Sequence, residues 1–130
     1  MLGKYLSPGL ITAGKFLELL AKNTQTSHRF TKPIDLVYIG TCSAGKSKRP
    51  RPHTTNEIGQ LSRNYFKKVP AKSVVLVISE CCGQYNKEFQ RDLRREHPKT
   101  EWIFPEHFDY FGTAEIPKIL SDLVKAGLLH

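Results

Sequence analysis

The strongest constraint on this chain is the segment Ser73-Val74-Val75-Leu76-Val77-Ile78-Ser79, five consecutive aliphatic residues bounded by serines. A strand with one wet face alternates apolar and polar side chains. A run that is apolar at every position has no wet face and predicts a central strand covered on both sides. A second run, Ile34-Asp35-Leu36-Val37-Tyr38-Ile39-Gly40, reads as another buried strand ending on glycine, and Glu101-Trp102-Ile103-Phe104 as a short third one.

Helical signals separate these strands. Ser7-Pro8 offers an N-cap serine followed by proline at the first helical position, and Leu10, Ala13, Leu17 and Leu20 recur at helical spacing with Phe16 beside them, to about Asn23. Thr54-Thr55-Asn56-Glu57 matches a capping box, with Ile58, Leu61, Tyr65 and Phe66 following on one face. Tyr85, Phe89 and Leu93 predict a helix that stops before His97-Pro98. Ile116, Ile119, Leu120, Leu123 and Val124 predict a last helix, which Gly127 terminates. Strands alternating with helices imply parallel pairing through right-handed crossovers. The expected fold is a single α/β domain over residues 1–130, a three-layer sandwich with a small, mostly parallel sheet and helices on both faces.

No apolar run approaches the ~20 residues that span a bilayer. The cysteines are Cys42, Cys81 and Cys82, an odd number with one adjacent pair, which makes a poor disulfide framework and points to reduced thiols and a cytoplasmic site of action. The first residues, Met1-Leu2-Gly3-Lys4-Tyr5, lack the apolar stretch and cleavage site of a secretory signal, so export implies delivery as part of a larger secreted protein. Twenty Lys and Arg against twelve Asp and Glu give a formal charge of +8. Such a surplus favours polyanionic partners.

Parallel α/β sheets place ligands outside the carboxyl ends of their strands. That rule selects 40–46, after the first strand, and 80–84, after the second, and each contains cysteine. Gly40-Thr41-Cys42-Ser43-Ala44-Gly45-Lys46-Ser47 formally matches the phosphate-binding pattern G-x-x-x-x-G-K-[ST]. That loop requires a helix to begin at its Lys-Ser, whereas Pro50 and Pro52 follow within a few residues and exclude one. Nucleotide hydrolysis is therefore not the expected activity. A thiol at Cys42, in a tight turn with Ser43 and Gly45, would be exposed near backbone amides. Lys46, Lys48, Arg49 and Arg51 would favour its thiolate form. The competing reading is a small apolar residue tucked behind the strand.

Tyr5-Leu6-Ser7-Pro8, a helix, and then the run from Ile34 through Gly40-Thr41-Cys42-Ser43-Ala44-Gly45 resemble the core of caspase-like cysteine peptidases. That group includes the self-processing peptidase domains of bacterial toxins. The resemblance spans about Lys4 to Ser79 and implies a hydrophobic strand delivering a nucleophilic Cys42. The family keeps its catalytic histidine in a His-Gly pair at the end of the preceding strand, and this chain contains no His-Gly. His53, in the loop after Cys42, is the candidate base within this chain, and a base must come within hydrogen-bond reach of the thiol. Glu80, at the end of the second apolar run, is a candidate second acid/base or substrate contact. Adjacent Cys81 and Cys82 are not the spaced pair of a zinc site, so neither metal nor cofactor is expected.

A second class of function stays open. The loop carrying Lys46, Lys48, Arg49, Arg51 and His53, with Lys87, Arg91, Arg94 and Arg95 further along, suits an RNA-binding or RNA-cleaving toxin domain neutralised by an acidic partner protein. The competing reading of the helical cations is a solvated face diluted by Glu88, Asp92 and Glu96.

Overall fold

The computed structural model describes residues 9–40, 67, 69–79, 83–105 and 115–130. In chain order these form β1 (Gly9–Thr12), α1 (Ala13–Thr24), β2 (Leu36–Gly40), β3 (Val74–Ser79), α2 (Gly83–Glu96), β4 (Glu101–Ile103) and α3 (Ile116–Lys125). The fold is a small α/β arrangement built on a mixed four-stranded sheet of order β1-β2-β3-β4. β2 and β4 flank β3 in parallel, with Leu36 opposite Val75 and Val74 opposite Glu101, while β1 joins β2 antiparallel.

The all-apolar run is the central strand that its composition demands. Val75, Leu76, Val77 and Ile78 are essentially sealed from solvent, and successive residues serve opposite sides of the sheet. Leu76 and Ile78 join Val37 and Ile39 of β2 in one cluster, with Phe16 and Leu20 of α1 and Ile116, Ile119 and Leu123 of α3. Val75 and Val77 join Tyr38, Trp102 and Leu93 of α2 in a second cluster.

The first element differs from expectation. Residues 9–12 are a strand, not the opening turns of a helix begun at Ser7, and Ser7 and Pro8 lie outside the described residues. The reason is pairing with β2: Leu10 packs into the second cluster and Ile11 into the first, a two-faced alternation available only to a strand. Thr12 then caps α1, its Oγ1 accepting from the Lys15 amide at 3.2 Å. The Ala13 amide donates to the Asp35 carbonyl at 3.0 Å, which ties the start of α1 to the start of β2. The helix expected after Glu57 also lies outside the described residues.

At the other end of the chain the local signals hold. Leu128 donates to the Leu123 carbonyl and Gly127 to that of Val124, both at 3.0 Å, with Gly127 at φ 76°. This is the paired arrangement in which glycine closes a helix. Val124, one of the apolar residues that predict this helix, is 45% exposed, because Ile116, Ile119 and Leu123 define the buried stripe of α3 and Val124 falls beyond it. No helix among the described residues is long and apolar enough to cross a membrane.

Leu76→Ala should lower unfolding free energy by about 2–5 kcal/mol, the range for emptying a sealed leucine site. Val124→Ser should change it by no more than about 0.5 kcal/mol. Urea midpoints of the two variants check this, and equal losses would contradict the assignment of β3 as the central strand.

Candidate functional site

β2 and β3 end level with each other. Their register pairs Ile39 with Ile78 and Gly40 with Ser79, so both chains leave the sheet at its carboxyl edge side by side. Paired strands lie about 4.8 Å apart. Cys42 follows Gly40 by two residues, Glu80 follows Ser79 by one and Cys81 by two. Two residues of chain reach about 7 Å at most. The chain length from the paired strand ends therefore permits Cys42, Glu80 and Cys81 to meet across this edge. Cys42, Ser43, Gly45, Lys46, Lys48, Arg49, Arg51, His53 and Glu80 themselves lie outside the described residues. His53 follows Gly40 by thirteen residues in sequence.

α2 begins at Gly83, two residues earlier than the first apolar residue of its predicted stripe, Tyr85. Three residues, Glu80, Cys81 and Cys82, thus separate the end of β3 from a helix N-terminus. A helix N-terminus presents amides without intrahelical partners and the positive end of the helix dipole. The sequence reading placed cysteines at this edge but missed the helix terminus beside them. The available signal was Gly83 itself, which interrupts the apolar pattern without forbidding a helical start.

The antiparallel β1 bears on where a base can come from. Gly9 lies beside Ile39, near the carboxyl end of β2, while Thr12, the end of β1, lies opposite Leu36. The end of the strand preceding the cysteine strand is therefore at the opposite edge, about 13 Å along β2 from Gly40. A histidine in that sequence position would sit by the start of β2, not by its end at Gly40. Of the described histidines, His28 holds Thr26 Oγ1 with Nε2 at 2.9 Å. His97 stacks edge-on against Trp102 at 5.7 Å, just after α2 has run to the amino edge.

A cavity of about 620 Å³ lies elsewhere, between Ile103-Phe104-Pro105 at the end of β4 and Asp122, Lys125, Ala126 and Leu128 at the end of α3. Its carboxylate, Asp122, already accepts from Lys118 at 3.1 Å. Among the described residues no group of three His, Cys, Asp or Glu could hold a metal ion. Comparison of the chain with protein-family models, with curated proteins and with solved structures found no match in any of the three.

The register makes a direct prediction. In a Cys82→Ser background, a flexible bis-maleimide should join Cys42 to Cys81 within one chain in the native protein, with the linked peptides found by mass spectrometry after digestion. Recovery of both cysteines only as separate adducts would contradict the shared edge.

Proposed function

We propose that this chain is a thiol-dependent hydrolase domain of the caspase-like kind, acting in a reducing compartment, with Cys42 as nucleophile. The observation that carries this reading is the level termination of β2 and β3, Gly40 opposite Ser79, from which the chain continues to Cys42 and to Glu80 within two residues. The N-terminus of α2, three residues beyond the same edge, supports it further, since an adjacent helix N-terminus stabilises thiolate over thiol.

In this reading the Cys42 thiolate attacks a substrate carbonyl carbon and forms a covalent acyl intermediate, which water then hydrolyses. His53 takes the thiol proton and returns it to the leaving group. Ser43 and Gly45 contribute backbone amides to the developing oxyanion. Glu80 orients the base or a polar substrate group. Lys46, Lys48, Arg49 and Arg51 favour thiolate and hold an anionic portion of the substrate. The base differs from that of the resembled family because the end of β1 points to the other edge.

Alkylation kinetics test the proposal. With Cys81 and Cys82 replaced by Ser, Cys42 should react with iodoacetamide at neutral pH faster than free cysteine. Its rate should titrate with a midpoint below the ordinary thiol value of about 8.5. His53→Ala should raise that midpoint, because loss of a neighbouring imidazolium removes a charge that favours thiolate. A Cys42 that reacts like a free thiol, with an ordinary midpoint unchanged by His53→Ala, would sink the proposal.

A further inference from the structure

The outward face of α2 is cationic. Lys87, Arg91, Arg94 and Arg95 are all exposed. At about 100° per residue they occupy an arc of about 100°. The buried residues of the helix, Asp92 and Leu93, lie outside that arc. Glu88 falls at its margin by the same spacing, and Glu96, half-buried and already engaged, lies on the far side.

A solvated face would leave these long side chains to wander, but three of the four are held. The Asp92 side chain, only 4% exposed, accepts from Arg95 Nη2 at 3.0 Å and lies 3.6 Å from Arg91 Nη2. Each guanidinium has five N–H donors, more than one shared carboxylate can engage. The Arg94 guanidinium sits 4.9 Å over the Phe104 ring. The strip continues past the helix end, where the Lys72 amide donates to the Lys99 carbonyl at 2.9 Å. That bond brings an exposed lysine before β3 beside an exposed lysine after α2, with exposed Glu101 flanking them. Lys87, Arg91 and Arg95 follow one another at about 6 Å along the helix axis.

From this arrangement we infer that α2 and the adjoining turns form a docking surface for the phosphodiester backbone of a nucleic acid. A row of prepositioned cations suits a linear polyanion, and prior ordering lowers the entropy lost on binding. An acidic protein fits less well. Protein interfaces bury an apolar centre, whereas the only large apolar side chain exposed among the described residues is Val124, on α3. Nucleic-acid interfaces are polar and cationic. The aromatic face of Phe104 carries Arg94, so the contacts inferred run to phosphate and carry little sequence information. This inference stands apart from the thiol chemistry and does not depend on it.

Fluorescence anisotropy with a labelled single-stranded RNA and a DNA of the same sequence, across a salt series, tests it on the whole chain. Both should bind comparably at low salt, with log K falling linearly with log salt. The triple variant Lys87→Gln/Arg94→Gln/Lys99→Gln leaves the partners of Asp92 intact. It should reduce the slope by about 2, at about 0.7 per lost contact. Should the triple variant not fold, Lys87→Gln alone should reduce the slope by about 0.7. A control replacing exposed Lys15 and Lys22 of α1 should leave the slope unchanged. Absence of binding at low salt, a slope indifferent to the α2 variants, strong preference for RNA over DNA, or equal competition by polyglutamate would each overturn the inference.

Discussion

The parallel pairing of β2 with β3 is the interaction on which the rest of the molecule depends. β3 is apolar at five successive positions, four of them buried, and can be stable only if both its faces are covered, so the two clusters are made necessary by one strand. Phe16 and Leu20 of α1 with Ile119 and Leu123 of α3 answer Leu76 and Ile78. Leu93 of α2 and Trp102 answer Val75 and Val77. The start of this pairing is fixed by Asp35, whose amide donates to the Val74 carbonyl at 2.9 Å while its carboxylate accepts from the Val74 amide at 2.8 Å. Register anchored at the amino edge is transmitted along the ladder. The level ends at Gly40 and Ser79 are therefore a consequence of packing and pairing at the opposite edge.

The same architecture separates two kinds of surface. The cysteines follow β2 and β3 at the carboxyl edge, where α2 begins. α2 then runs back across the sheet, and its exposed cations extend to Lys72 and Lys99 at the amino edge. Asp92 links the strip to the core: it lies beside fully buried Leu93 and binds the arginines from beneath. In sequence it looked like a charge diluting a basic helix, but in the fold it orders that helix's outer face.

Elements whose evidence is local were legible from sequence. β3 follows from an unbroken aliphatic run, α2 from Tyr85, Phe89 and Leu93, and the end of α3 from Gly127, whose left-handed φ costs a glycine little. β1 was not legible, because Leu10 and Ala13 also satisfy helical spacing and only a partner distant in sequence distinguishes the two readings. Strand identity there is a property of the pair Leu10–Tyr38, not of either residue. Val124 lies on the predicted helix yet is exposed, because periodicity supplies a stripe but neighbouring elements set its width.

The candidate site divides along the same line. Residue types and chain order by themselves determined that thiols would follow two apolar strands, that cations would crowd one helical face, and that the charge would be +8. Tertiary structure alone decided that those two strands are neighbours in register. It also decided that β1, the strand before β2, runs the opposite way, and that Lys72 meets Lys99. The physical reason is that burial propensity and charge belong to single residues, whereas register and strand direction are set by hydrogen bonds between segments distant along the chain.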